Sequence, residues 1–321
     1  MGKIVKAGIV QHSPVFLNLK ETINKAMDLI SDAKKQNISL LAFPETWLPG
    51  YPVWIDSAPK AAIWNNPAAR KLYAMLHANS IELGSKELRT LQKAAKDSGI
   101  IIIMGANERS KRTIYNTIFM LSPDGETMQI HRKLVPTYTE RLVWGRGDGS
   151  TLSYLETDFG NVSALVCWEH WMPFARAVMH SHNEVIHIAQ WPSVHEIHNV
   201  ASRQYAFEGQ CYVLACGSVL TKKQIIDGAS SHGQPDDDVY ELLNSIQGKK
   251  EPQYGGSCII APDMSYAAEP VFHKEKFITA ELDIDKVFQG NITLDTDGHY
   301  SRPDIFTLHV DTSEHKNIEI K

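Results

Sequence analysis

Asn161-Val-Ser-Ala-Leu-Val-Cys-Trp-Glu-His-Trp-Met-Pro173 decides how the chain is read. Val162 to Val166 is an apolar run of buried-strand length, and it delivers Cys167 to the strand end. Pro173 suits the first turn of a helix, where its missing N–H is not needed, and that helix is expected over Phe174 to His182. Between a strand end and a helix start, free backbone N–H groups and the helix dipole favour a thiolate and a developing oxyanion. A cysteine in an apolar strand also reads as an inert core residue. This stretch alone does not choose between nucleophile and core.

Working outward, Ile4 to Val10 reads as a strand, Leu19 to Lys35 as an amphipathic helix and Ser39 to Phe43 as a second strand ending at Pro44-Glu45. Strand, helix and strand at this spacing open an α/β or layered α+β domain. A carboxylate at the end of a buried strand is costly unless it is paired or used, which singles out Glu45. The following loop, Thr46 to Trp54, is aromatic and punctuated by Pro and Gly; it reads either as core packing or as a pocket wall beside Glu45. Ala58 to Ser80 reads as an irregular helix broken by Pro67, and Ser85 to Ser98 as a helix capped by Gly99. Ile100 to Met104 is a strand, and Tyr115 to Leu121 with Thr127 to Ile130 forms a hairpin.

His131 to Gly149 is a strand running into a loop rich in Gly and charge, in which Lys133 and Glu140 stand out, though either also reads as a solvated charge. The Gly145 to Gly149 piece lacks phosphate-loop spacing and a following Lys-Ser/Thr, which excludes a nucleotide site. Beyond Cys167, Glu184 to Gln190 is a buried strand, Arg203 to Gln210 a helix and Cys211 to Val219 a strand. Lys222 to Tyr254 is polar and reads as a flexible insertion, residues 222–254, in an otherwise single domain spanning 1–321. Gly256 to Pro262 and Lys276 to Leu282 are strands, and Asp285 to Phe288 starts a short helix. The number and spacing of strands suit two sheets with helices outside.

Composition narrows the classes. The chain has 321 residues, 43% of them hydrophobic and 21% charged, with a net charge of −5. That charge argues against nucleic acid as a partner. The start has no signal-peptide layout and no apolar run reaches membrane-spanning length, so no membrane association is expected. Cys167, Cys211, Cys216 and Cys258 form no C-x-x-C pair and no disulfide framework, which suits a reducing cytoplasmic setting. His180, His182, His187, His195 and His198 invite a metal, but none pairs in an H-E-x-x-H arrangement, so no metal site is expected.

Glu45, Lys133 and Cys167 share one setting, at or just past the end of an apolar strand. Strand ends on one side of a layered protein converge. A cysteine needs a base to form its thiolate, a carboxylate in a partly apolar pocket is a competent one, and a lysine beside both favours thiolate and oxyanion. Together they make a Cys–Glu–Lys covalent-catalysis hypothesis.

At these residues the sequence resembles the nitrilase superfamily of carbon–nitrogen hydrolases: Phe43-Pro-Glu45, His131-Arg-Lys133 and Cys167-Trp-Glu169 occur in that order. Val135 to Gly149, Cys167 to Pro173, Ser202 to Gly209 and Gly298 to Asp304 resemble its nitrilase branch more than its amidases. The resemblance covers nearly the whole chain. It implies an α+β fold, a four-layer αββα sandwich, with no metal and no organic cofactor. It carries Cys167 over as nucleophile, Glu45 as general base and acid, Lys133 as the cation beside the tetrahedral intermediates and Glu140 as the second glutamate. It further implies a nitrile substrate and water, release of the carboxylic acid and ammonia through a thioimidate and acyl-enzyme on Cys167, and a homodimer or higher homo-oligomer in which the C-terminal tail takes part. One departure is Met264, where a Gly is usual in that turn. The C terminus is also short for a spiral-forming nitrilase.

Tyr51, Trp54, Trp144, Trp168, His170, Trp171 and Trp191 are the expected pocket-lining residues, with core packing as the other reading of each. Alternatives on the same scaffold are an aliphatic amidase or a cyanide-hydrolysing enzyme. A non-catalytic scaffold protein has no chemical need for an intact Glu45, Lys133 and Cys167 set.

Overall fold

Alternate residues of a strand face opposite sides of a sheet, and the buried residues of the first strands divide on that rule. The computed structural model describes residues 3–246, 251–316 and 318. In β1 (Ile4–Gln11), β2 (Leu40–Ala42) and β3 (Ile101–Ser110), Val5, Ala7, Ile9, Leu40, Ala42, Ile101 and Ile103 enter one core, while Val10, Leu41, Ile102 and Met104 enter another. The first core lies between two sheets and continues through the second sheet to the helices on its outer face. The second lies between the first sheet and two helices, α1 (Leu19–Lys35) and α4 (Lys86–Ser98).

Each helix is bounded as its sequence dictates. Asn18 caps α1 by accepting the Glu21 N–H, Ser85 caps α4 by accepting the Leu88 N–H, and Gly99 ends α4 at φ 73°. The α1 residues Ile23, Ala26, Leu29, Ile30 and Ala33 form its buried stripe. At about 25 cal/mol per Å² of apolar surface, Ile23, Leu29 and Ile30 each contribute about 1.5–3 kcal/mol on burial.

The first sheet continues with β4 (Thr113–Leu121) and β5 (Met128–Arg132). The second contains β6 (Tyr154–Thr157), β7 (Gly160–Val166), β8 (Glu184–Gln190), β9 (Tyr212–Cys216), β10 (Val219–Leu220), β11 (Gln253–Ile260) and β12 (Tyr266–Phe272), while β13 (Lys276–Asp283) returns to pair with β1. The orders are β13-β1-β2-β3-β4-β5 and β10-β11-β9-β8-β7-β6, with β12 on β11. On the outer face of the second sheet, α5 (Pro173–His180) and α6 (Glu196–Gly209) bury Ala175, Met179, Ala201, Tyr205 and Ala206. The fold is the four-layer αββα sandwich.

Several boundaries differ from the sequence reading. Pro67 does not break a helix but starts one, α3 (Pro67–Ala78), with α2 (Trp54–Ser57) before it, because proline is tolerated at a first helical position. Helix α5 takes Pro173 itself and ends at His180, and α6 begins at Glu196 rather than at Arg203. The polar stretch read as a flexible insertion carries α7 (Lys222–Ala229) and α8 (Asp237–Asn244), whose Ile225, Val239, Leu242 and Leu243 join a third core with Leu72 and Leu76 of α3. Its residues 247–250 lie outside the described residues. Met264, where a glycine was noted as usual, has φ 67°, the left-handed region that glycine enters without strain. Past α9 (Asp285–Gly290) the tail is irregular, and His315 N–H donates to Asp148 at 2.9 Å.

Candidate active site

Strand β2 ends two residues before Pro44-Glu45, β5 ends immediately before Lys133, and β7 ends immediately before Cys167. Face-to-face packing of the sheets brings these three ends together. Ligand-type atoms of Glu45, Glu140 and Cys167 lie within 4.8 Å of one another, and all three residues are buried. The cation among them is the Lys133 ammonium, which donates to Glu45 Oε1 at 3.0 Å and to Glu140 Oε2 at 2.7 Å. It also stands 5.6 Å from the Trp144 ring centroid.

The two carboxylates are held differently. Glu140 sits in a 3-10 turn, Tyr138–Leu142, capped by Thr137. Besides Lys133, it accepts the Thr137 N–H at 2.6 Å and the Tyr51 hydroxyl at 2.8 Å. Glu45 accepts Lys133 and Asn116 Nδ2 (2.7 Å), both on Oε1, and its buried Oε2 has no hydrogen-bond partner among the described residues. Burial, aided by the Glu140 charge and opposed by Lys133 and Asn116, raises Glu45 to about 7. A carboxyl near neutrality with a bare oxygen is equipped to take and return a proton.

Burial alone would lower Lys133, but Cys167 in its thiolate form and the carboxylates of Glu45 and Glu140 outweigh it and raise its pKa, so it stays an ammonium. Burial raises the Cys167 thiol well above its ordinary value; Glu45 adds to this and Lys133 opposes it. The resting sulfur is therefore a thiol, and nucleophilic attack requires a base. Cys167 opens a 3-10 turn, Cys167–Trp171, at φ 55°, unusual for a residue with a side chain.

Glu169 fastens this turn to the lysine loop. It accepts the N–H groups of Val166 and Leu134, each at 2.7 Å, and faces His131 Nε2 at 2.8 Å. Burial would raise Glu169, but His131 and the two backbone donors hold it below its ordinary value. Gly105 lets β3 pass close to the Glu45 turn: a Cβ there would stand 2.1 Å from the Pro44 carbonyl oxygen.

A cavity of about 330 Å³ opens onto Cys167, lined by Tyr51, Asp56, Thr137, Tyr138, Thr139, Glu140, Trp168, Pro192 and His198. Of the expected pocket residues, Tyr51 and Trp168 line it. Trp144 packs behind, edge-on to Tyr51 at 5.5 Å. Trp54 is a core residue against Phe16, and Trp191 is fully buried, stacked on His198 at 4.2 Å. Trp171 packs on the main core, and His170 turns behind the nucleophile to its carbonyl oxygen at 2.7 Å. Trp54, Trp144 and Trp191 are drawn off the wall because burying their large apolar surface is favourable, while His170 is held by its contacts to the Cys167 carbonyl and His187.

Asn116, Glu169, Asp56, Thr139 and His198 were not singled out as site residues from sequence. Asn116 had a signal: it shares a strand face with Ile118 and Met120, and a polar group on an apolar face demands a partner. Asp56, Thr139 and His198 had none, since a short helix, a 3-10 turn and the distant helix α6 bring them in. His180 and His187, two of the five histidines that invite a metal in the sequence, both pair with Glu184.

Comparison with known proteins agrees with this geometry. The family described as carbon-nitrogen hydrolase matches residues 6–289. A protein named nitrilase from Pseudomonas syringae pv. syringae is 36% identical, with 96% of this chain and 90% of that protein covered. An aliphatic nitrilase from Rhodococcus rhodochrous is 34% identical, with 98% and 81% covered. An arylacetonitrilase from Macrophomina phaseolina is 33% identical, with 99% and 94% covered. Among solved structures, a carbon–nitrogen hydrolase from Helicobacter pylori superposes with a TM-score of 0.67 at 19% identity, covering 91% of this chain and 93% of that one. At that identity it speaks to the fold alone.

Proposed function

The chain belongs to the carbon–nitrogen hydrolase family, and we propose that within it the protein is a nitrilase that converts an organic nitrile and two waters to the carboxylic acid and ammonia. The observation that carries this reading is the buried gathering of Cys167, Glu45 and Glu140 around the Lys133 ammonium, in a chain whose relatives include named nitrilases.

In the proposed course, Glu45 takes the thiol proton through Oε2 as Cys167 sulfur attacks the nitrile carbon. The proton passes to nitrogen, giving a thioimidate. Lys133 and the Trp168 backbone N–H stabilise the developing negative charge. Glu45 then activates a water that adds to the same carbon, and protonates the nitrogen, which leaves as ammonia. The remaining thioester takes a second water, again activated by Glu45, and releases the acid with the thiol restored. Glu140 holds Lys133 in place. Tyr51, Trp168 and His198 are assigned to the substrate wall. A homodimer or higher homo-oligomer and a cytoplasmic setting go with this reading; the latter is supported by four free, buried cysteines.

The test is ammonia release from aliphatic, aromatic and arylacetonitriles, cyanide and the matching amides, with wild type beside Cys167→Ala. Acid and ammonia from nitriles, lost in the folded Cys167→Ala variant, is the expected result. Turnover of amides alone, or activity surviving in the variant, would overturn it.

A further inference from the structure

Behind Cys167 lies a line of buried polar side chains that the proposed reaction does not use. His170 Nδ1 is 2.7 Å from the Cys167 carbonyl oxygen, and its Nε2 is 3.0 Å from His187 Nε2. His187 Nδ1 is 3.0 Å from Glu184 Oε2 and 2.6 Å from Ser163 Oγ. Glu184 Oε1 accepts the Tyr205 hydroxyl at 2.6 Å and stands 3.0 Å from His180 Nδ1. These groups come from β7, the nucleophile turn, α5, β8 and α6, and all are buried.

The hydrogens along this line can be counted. A carbonyl oxygen only accepts, so His170 Nδ1 carries a hydrogen. An N···N contact of 3.0 Å needs one hydrogen between the two rings. Glu184 is held down to about 2; burial would raise it, but His187 and His180 outweigh that, so it too only accepts, and His187 Nδ1 faces it at 3.0 Å and the Ser163 hydroxyl at 2.6 Å. With His187 Nδ1 donating to Glu184, three ring hydrogens are needed, and two neutral imidazoles supply two; with Ser163 donating to Nδ1, two suffice and Glu184 Oε2 faces a lone pair.

We propose that His170 and His187 share one extra proton, balanced by Glu184, and that this buried cation positions Cys167 and stabilises negative charge on its sulfur. The proposal rests on the assignment of Cys167 as nucleophile. His170 touches the carbonyl and not the sulfur, so it is a positioning residue. It pins a residue whose φ of 55° would otherwise relax. Burial by itself favours neutral rings, lowering His187 against the pull of Glu184 and lowering His170 further. The fixed contacts oppose it, because a neutral pair sets two lone pairs face to face at one of the three junctions. Other polar groups near the pair are His131, whose charge opposes a cation on His187, Arg176, which donates to the His170 carbonyl at 3.1 Å, His198 across Trp191, and Cys211 and Glu208 near the Glu184 end. Ser163 offers the competing arrangement: its hydroxyl donating to a neutral His187.

The primary experiment is ¹⁵N NMR of the full-length enzyme labelled at histidine. His170→Asn and His187→Gln serve to assign the signals. One ring charge shared by the pair at pH 7.5 is expected, and two neutral rings would overturn the proposal. The second measurement is the pH dependence of Cys167 alkylation by iodoacetamide, followed at that residue by mass spectrometry, together with kcat and KM. In His187→Gln the alkylation midpoint should rise by about one pH unit and kcat fall about tenfold or more with KM unchanged. An unmoved midpoint would also overturn it. Neither the spectrum nor the alkylation needs a substrate, so either can fail independently of the nitrilase reading.

Discussion

Lys133 donates to Glu140 over 2.7 Å and to Glu45 over 3.0 Å, so one ammonium is shared between two carboxylates. Glu140 has three donors on its two oxygens, whereas Glu45 Oε2 has no donor among the described residues. Burial with one oxygen unpartnered raises Glu45 to about 7. The acid limb of kcat/KM should therefore fall near neutrality. Glu140→Gln removes a charge that raises Glu45 and frees Lys133 to serve it, so the limb should move to lower pH while kcat drops about tenfold or more as Lys133 loses its anchor. A pH–rate profile checks both, and a fixed limb would take the base role away from Glu45.

His131 and Glu169 should mark the pH dependence of stability. Glu169 is held below its ordinary value, so its contribution is present above the unfolded carboxyl range and is lost as pH falls through its folded value. His131 is raised by Glu169 against burial, so its contribution is full below its unfolded value and is lost as pH rises through its folded one. The pair is therefore most stabilising between about pH 4.3 and 6.5, the ordinary values of the two groups. Glu169→Ala should cost about 3–5 kcal/mol in that window, as expected when a buried pair loses one member. Thermal unfolding across pH 4 to 9 would show the difference from wild type narrowing at both ends.

Gly105→Ala should harm activity more than stability. Its Cβ would stand 2.1 Å from the Pro44 oxygen and 2.8 Å from Thr46 N, on both sides of Glu45. Overpacking costs about 1–3 kcal/mol, but a shift of about 1 Å in the base costs about 100-fold in kcat. Unfolding and turnover measured on one preparation separate the two effects, and near-wild-type turnover would show that the base is not held by this close approach.

Asp56 and Glu140 are the carboxylates on the cavity wall. An aminonitrile with its ammonium toward Asp56 should be preferred over a neutral isostere, and a cyanocarboxylate disfavoured. Asp56→Asn should raise KM for the aminonitrile severalfold and leave the neutral nitrile within about twofold, since a charge open to solvent is worth about 1 kcal/mol or less. Equal KM changes for both substrates would remove the electrostatic explanation.

The sequence by itself determined the layered architecture, because strand period, helix caps and apolar stripes are local: α1 runs over the expected Leu19–Lys35, and Gly99 ends α4 as expected. It also determined which strand ends carry Glu45, Lys133 and Cys167, since a charged or nucleophilic group ending a buried strand is visible without knowing its neighbours. The tertiary structure decided what depends on residues far apart in the chain meeting in space. It divided the aromatic candidates, leaving Trp168 on the wall and taking Trp54 and Trp191 into the core. It brought Asp56, Thr139 and His198 to the cavity from three separate segments, and it joined Glu169 to His131 across 38 positions. Hydrophobic periodicity says that a side chain is buried. Only the packing of one sheet on the other says against what.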